Sequence, residues 1–329
     1  MTEQQEQHTP ESLQDSLEQT RSAAEDRPTE RRSWLRRLAL MVVIVAVLVV
    51  SVLVWADRFI NVPRMSDAEF AERLEQAMKR GNQWVARNRG RLLGKERNIA
   101  LFYMLQRMDE LHDSPAFRDM VDEFLRTPFS PAYSFWLKML DADVHASSYR
   151  MNQALAGQSF DNRWTIYALD PQHVRLAPEE VRGLFDPNER EEYELTHQFW
   201  PLWHLRRLWQ DPRVSDELLT TLCRRIADEA AHDIRITDLS TERLAFLLLA
   251  DHPEMVRRRW IERQIDNQQA DGGWADCWYT LGTSLHYAGD PESNEHTTLL
   301  ALLALYHVKY KYAEHFGLPA AQAEIKNGS

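Results

Sequence analysis

Cysteine is almost missing from this sequence. Cys223 and Cys277 are the only two, so at most one internal disulfide is available and no disulfide framework holds the fold. Neither C-x-x-C nor H-E-x-x-H occurs, which removes the compact signatures of redox dithiols and zinc proteases. Basic charge is in deficit, with 39 Lys plus Arg against 50 Asp plus Glu and a net charge of −11; that balance argues against nucleic acid or another polyanion as partner. The only N-x-S/T sequon is Asn327-Gly328-Ser329, too close to the C-terminus to be informative.

One stretch is all but free of polar residues. Leu38 to Trp55 runs 18 residues without a charge, about the thickness of a bilayer core at roughly 1.5 Å per residue. Trp34 and Trp55 flank it as interfacial anchors would. Its exit, VLVWADRF, offers no small-residue cleavage site, so the run reads as a signal anchor over residues 38–56 rather than a removable signal peptide. Arg31, Arg32, Arg36 and Arg37 crowd the N-terminal flank, and the positive-inside rule then puts the N-terminus in the cytoplasm. Residues 1–37, rich in Gln, Glu, Ser and Thr, read as a disordered cytoplasmic tail. They hold six arginines against eight acids, which leaves −9 of the −11 on the rest of the chain. The expectation is a single-pass protein of a bacterial inner membrane with an acidic periplasmic domain over residues 57–329.

Past the anchor the pattern is helical. Ser66 is a good N-cap, and Phe70, Leu74, Ala77, Met78, Trp84 and Val85 follow along one face. Other segments are apolar nearly all round: Asn98 to Leu105, Glu242 to Ala250 and His296 to Tyr306. Half-wet helices alternating with fully buried ones fit an α/α toroid, a barrel of helical hairpins. Arg97, Ser148, His197, Glu242 and His296 mark the starts of the buried members at steps of 51, 49, 45 and 54 residues. An open α-solenoid is the alternative with the same composition.

The stretch NQQADGGWADCWYT, residues 267–280, falls between the last half-wet helix and the last buried one. Gln268, Asp271, Gly272, Gly273 and Trp274 spell Q-x-x-D-G-G-W, which resembles the QW-type repeat of squalene cyclases and protein prenyltransferases, themselves α/α toroids. The glycines permit a tight turn with positive φ, and the glutamine is placed to cap carbonyls at a helix end. A single copy is present, and Asp141-Ala142-Asp143-Val144-His145 does not complete the cyclase D-x-D-D motif. Prenyltransferases hold zinc through Asp-x-Cys and a later His followed by Thr. The resemblance therefore implies zinc on Asp276, Cys277 and His296, although Asp276 and Cys277 are adjacent and His296 follows only 19 residues on.

In a toroid the N-termini of the buried helices converge on one mouth, so polar residues there are the functional candidates: Arg97, Asn98, Thr196, His197, Thr241, Glu242, Glu295, His296 and Thr297. His197 and His296 suit acid–base work or ligation, or else cap their helices. Glu242 opens an almost wholly apolar helix, where a carboxyl's pKa rises, or else it pairs with Arg243 or Arg97. His204, with Pro201 before it, and the aromatics Phe199, Trp200, Trp203 and Trp209 read mainly as core, with sugar-stacking platforms as the alternative. His286 reads as exposed or as part of a lid. Arg257, Arg258 and Arg259 read as a solvated face. Cys223, on the apolar face of Leu219, Leu222 and Ile226, reads as a buried thiol unless it bonds Cys277.

Function is expected at that mouth: His197, Glu242 and His296 as catalytic groups acting on a cell-envelope glycan, lipid or peptide by acid–base or metal-assisted hydrolysis or elimination. The competing expectation is a non-catalytic envelope module that binds a peptide, glycan or partner protein, or takes part in a membrane assembly.

Overall fold

The computed structural model describes residues 27–94, 98–128, 136–144, 155, 157–280, 286–289 and 292–319, with 27–33, 277–280 and 286–289 as backbone only. The chain divides into two compact units, Met1–Ala56 and Asp57–Ser329.

The first unit is the greater part of helix α1, Arg27–Asn61. Its segment Trp34–Asn61 is long and apolar enough to cross a membrane, and its valines and leucines face outward rather than into protein. Helical backbone begins at Arg27, well ahead of the expected start of the anchor at Leu38.

Within the second unit, the regular secondary structure of the described residues is helical apart from one short ribbon. In chain order come α2, Asp67–Arg87; α3, Ile99–Leu111; α4, Pro115–Arg126; α5, Phe160–Leu169; α6, Pro178–Phe185; α7, Glu192–Trp209; α8, Asp216–His232; α9, Asp238–Leu249; α10, Arg258–Asp266; and α11, Glu295–Tyr306. Between α10 and α11, strands β1, Cys277–Thr280, and β2, His286–Gly289, pair antiparallel with Tyr279 opposite Tyr287. Side-chain caps start several of these helices: Ser66 accepts from Glu69 N, Asn98 from Ala100 N, Ser215 from Leu218 N and Asn294 from Thr297 N, each contributing about 1 kcal/mol.

The two kinds of helix are distinct in burial. Every residue from Thr241 to Leu249 of α9 and from Thr297 to Tyr306 of α11 is buried, as are most of α3 and the second half of α5. In contrast α2, α4 and α8 bury one face each. The buried helices pack in sequence: α3 on α11, α11 on α9, α9 on α7, α7 on α5, and the 3₁₀ turn Trp136–Met139 on both α5 and α3. The half-buried helices lie against them, α4 on α3, α6 on α5 and α7, α8 on α7 and α9, and α2 on α10 and α11. Gly81 lets α2 approach α11 closely, because a Cβ there would stand 2.6 Å from Leu302 Cδ2.

The expected helix start at Ser148, and Arg97, lie outside the described residues; a buried helix is described from Phe160. Helix α7 carries Pro201 inside it, where the ring has no N–H to offer the His197 carbonyl one turn back. One local expectation changes. The arginines 258 and 259 are not a solvated face. Arg259 is buried, with Nε on the Phe59 carbonyl (3.2 Å), and both pair with the fully buried Glu262, which also accepts from Arg64 N (2.8 Å). A buried carboxylate needs such partners, and these fasten residues 59–65 to α10.

Cys223 is a buried free thiol, its pKa pushed up to about 12, burial being the main cause.

Candidate functional site

The glycine turn is a clasp. Gly272 has φ +93°, and a Cβ there would lie 2.6 Å from the Arg80 carbonyl oxygen, so only glycine fits. Gln268 Nε2 donates to the carbonyls of Gly272 and of Ala77 on α2 (2.8 Å each), tying the turn to a neighbouring helix rather than capping its own. Asp271 accepts from Gly273 N (3.0 Å), Ser293 Oγ (2.7 Å) and Trp84 Nε1 (3.0 Å), while Trp274 is fully buried with Nε1 on the Gln264 carbonyl. Gln268, Asp271 and Trp274 thus tie the turn to α2, to α10 and to Ser293 just ahead of α11.

That clasp sets the chain up for Asp276, whose Oδ1 accepts the Asp238 N–H (2.9 Å) at the first turn of α9. Four orphan N–H groups sit at a helix start, and a carboxylate placed there satisfies one of them. The side chains of Cys277 and His286 lie outside the described residues.

From this anchored end of α9, Asp238 reaches α11. Its two carboxylate oxygens lie 3.0 and 2.9 Å from His296 Nδ1, and Oδ1 also accepts from Thr297 Oγ1 at 2.6 Å. One turn on, Glu242 projects from α9 toward α7, with Oε1 3.8 Å from His197 Nδ1. Glu242 is 3% exposed and its Oε2 has no hydrogen-bond partner. It does not pair with Arg243, which turns instead to Glu229 and to Asp233 (2.8 Å). Tyr193, on the first turn of α7, lies over the His197 ring at 3.7 Å. Trp200, on the next turn of α7, stacks on Phe246 of α9 at 5.0 Å and 11°. The structure therefore brings together His197, Glu242 and His296, with Asp276 supporting them from beneath Asp238.

The protonation of this group follows from its surroundings. Burial pushes Glu242 up to about 8; the charge of Asp238 adds to this, while His296, Thr196 and Arg243 oppose it. Burial also holds His197 below the usual imidazole value. Its Nδ1 sits 3.0 Å from the Tyr193 carbonyl, which can only accept, so the neutral ring carries its proton on Nδ1 and leaves Nε2 basic. For His296 burial works against the cation, but the hydrogen bond and charge of Asp238 outweigh it and raise the pKa. Asp238 is correspondingly low despite its burial, held there first by His296. The surroundings thus favour the neutral form of Glu242 and of His197, and the cationic form of His296 beside Asp238. Environments that separate the pKa values of neighbouring groups in this way are how acid and base roles are assigned.

The remaining candidates are occupied with structure. Thr196 Oγ1 donates to the Tyr193 carbonyl (2.9 Å), Thr241 Oγ1 to the Thr237 carbonyl (3.0 Å), and Glu295 pairs with Arg91. His204 is fully buried among Tyr103, Trp200 and Trp203. Sequence reasoning missed Asp238, Tyr193 and Asp161, whose charge bears on both His197 and Tyr193. Asp238 was readable as the residue four before Glu242 on one helix face.

Among the described residues no three His, Cys, Asp or Glu side chains gather as a metal site. Asp276 Oδ1 is turned to a backbone N–H and His296 Nδ1 to Asp238, while the side chain of Cys277, the third residue expected to hold zinc, lies outside the described residues.

Compared with known proteins, the sequence matches no protein-family model. It matches no curated protein either.

Proposed function

We propose that the second unit is an α/α toroid and that its mouth is the active centre of an acid–base enzyme acting on a cell-envelope glycan, lipid or peptide. The ring is supported by the packing order of the buried helices, α3, α11, α9, α7, α5 and back to α3 through the turn at 136–139. The reading is carried above all by Glu242, a buried carboxyl with one oxygen unpartnered, 3.8 Å from a neutral histidine and beside a His–Asp pair.

In this reading Glu242 is the general acid, with a pKa close enough to neutrality to hold and release a proton. His197, unprotonated at Nε2, is the general base. Asp238 and Thr297 orient His296, which is left to bind the substrate through Nε2. Hydrolysis and elimination both require such a pair. Positioned acid–base groups contribute about 10²–10⁴-fold to rate. Helix α1 serves as the anchor, and the arginines ahead of it favour a cytoplasmic N-terminus with the second unit in the periplasm. Protease added to spheroplasts would then digest the second unit and spare the N-terminal tail.

The test is turnover by the full-length protein in detergent, using separated envelope glycan, lipid and peptide fractions with products read by mass spectrometry. Product formation that rises and falls around neutral pH, and drops at least 100-fold in Glu242→Gln, is expected; turnover that is unchanged in that variant defeats the proposal.

A further inference from the structure

Helix α7 starts in strained backbone. Three residues other than glycine have positive φ among those described: Gln210 and Asp251, which follow the ends of α7 and α9, and Glu192, which opens α7. Left-handed backbone is common just past a helix end, so the first two have an ordinary explanation. Glu192, at φ +49°, has none: a side chain in this region is strained, and the strain persists only where surrounding contacts impose it. The helix also lacks a cap of its own. Glu191 makes no side-chain bond to it, unlike Ser66, Asn98, Ser215 and Asn294 at the starts of α2, α3, α8 and α11.

The contacts that impose the strain come from α8 and its exit. Glu229 Oε1 accepts the Glu192 N–H at 2.9 Å, doing from outside what a cap would do. Arg225, one turn back on α8, donates to the carbonyls of Pro187 and Arg190 in the incoming loop, and Arg235 lies 3.5 Å from Glu192 Oε1. Glu229 is itself held, because its second oxygen accepts from Arg243, the buried neighbour of Glu242 on α9. On the far side the chain is fixed again, since Leu195 and Thr196 are fully buried. Between these two fixed points Glu192, Tyr193 and Glu194 are only partly covered, and the Tyr193 ring lies over His197.

We propose that the first turn of α7 is a gate over His197, held shut by α8 with Glu229 as its latch. In the closed form Tyr193 covers the imidazole with its ring, and its carbonyl, 3.0 Å from His197 Nδ1, fixes the tautomer. Pinned at Arg190 and at Leu195, residues 191–194 rearrange together: the Glu192 N–H leaves Glu229, φ returns to negative values, and the unwinding turn draws Tyr193 off the imidazole. The Thr196 hydroxyl and His197 Nδ1, both bonded to the Tyr193 carbonyl in the closed form, then bond to water. Strain that works against the latch lowers the cost of opening, so the open form is within thermal reach. Only the purpose of the gate, admitting substrate to His197 and Glu242, rests on the acid–base reading; its existence rests on the geometry of α7 and α8.

The test is the rate at which diethylpyrocarbonate modifies His197 in the full-length protein at neutral pH, read by peptide mass spectrometry. Exposed His112 and His173 are references within the same chain, and fully buried His204 reports any loss of fold. Labelling of His197 should rise about tenfold in Tyr193→Ala, which removes the cover, because the rate follows the uncovered population. It should rise severalfold in Glu229→Gln, whose amide oxygen is drawn to Arg243 and whose NH₂ then faces the Glu192 N–H, donor against donor. At residue 192 the order decides. Glu192→Gly carries no strain at positive φ and should label more slowly than wild type; Glu192→Gln loses only the ion pair with Arg235 and should match it; Glu192→Val is strained further and should label faster. Should Glu229→Gln unfold, as labelled His204 would show, the residue-192 series decides alone. Equal rates across that series, or a faster rate in Glu192→Gly, overturn the gate. The two readings fail separately: the expected order of labelling with no turnover of any envelope fraction would leave the gate standing and refute the acid–base roles, and equal labelling with turnover lost in Glu242→Gln would do the reverse.

Discussion

Asp238 holds His296 with both carboxylate oxygens, at 3.0 and 2.9 Å from Nδ1, across the interface of two helices that start 57 residues apart in the chain. The contact fixes the ring's orientation and its charge together. Since Asp238 is itself held by Thr297 Oγ1 and by Asp276 at its backbone N–H, the pair belongs to a supported network rather than to a mobile surface ion pair.

Replacing Asp238 by Asn removes the charge and keeps the shape. The cause that outweighs burial at His296 is then gone, and its pKa should fall from above to below the ordinary imidazole value. The C2–H resonance of His296, followed by NMR across pH 4 to 9, reports the change. A titration midpoint that does not move would mean Asp238 does not set the charge of His296.

Stability should carry the mark of Glu242. A carboxyl whose folded pKa is raised from 4.5 to about 8 contributes no penalty below the unfolded value, and costs stability as pH rises through that window, at up to about 1.4 kcal/mol per pH unit. Chemical denaturation of wild type and Glu242→Gln should therefore diverge between about pH 5 and 8, with the variant the more stable by pH 8. Parallel curves would show an ordinary carboxyl.

The clasp at residues 268–274 makes a different kind of prediction. Gly272→Ala forces a side chain into left-handed backbone, about 1–3 kcal/mol of strain, and sets its Cβ against the Arg80 carbonyl. The melting temperature should drop by several degrees, whereas Gly90→Ala, where a Cβ meets nothing within 4 Å, should leave it within error. Equal effects at the two positions would remove the case for the turn as a clasp.

How far the sequence foretold this arrangement varies by residue. Helices α9 and α11 are apolar on every side, a pattern that permits only burial, so Glu242 and His296 could be placed at the buried ends of helices before any contact was known. Asp238 was passed over because acids in a first helical turn are common as partners of the helix dipole, and only the fold shows that this one faces a histidine from α11. The reading of arginines 258 and 259 as solvated failed for a related reason: their partner Glu262 is adjacent and legible, but the chain segment at 59–65 that buries them is some 200 residues away. The glycine motif revealed its turn, not its role, since what it clasps are α2 residues that no local pattern links to it.

Because proton transfer is assigned to Glu242 and His197, turnover should survive chelation. Treatment with EDTA, with zinc counted by elemental analysis before and after, is expected to leave the rate within twofold. Stoichiometric zinc that is lost together with activity, and absent from His296→Ala, would instead move the chemistry onto a metal held by His296.

The most direct measurement is the protonation of Glu242 itself. Its carboxyl stretch in the isotope-edited infrared difference spectrum of wild type against Glu242→Gln, followed from pH 4 to 10, should show the protonated form persisting through neutrality with a midpoint near 8. A midpoint near the ordinary 4.5 would mean the group is ionised in the working range, and the acid on which this account depends would not exist.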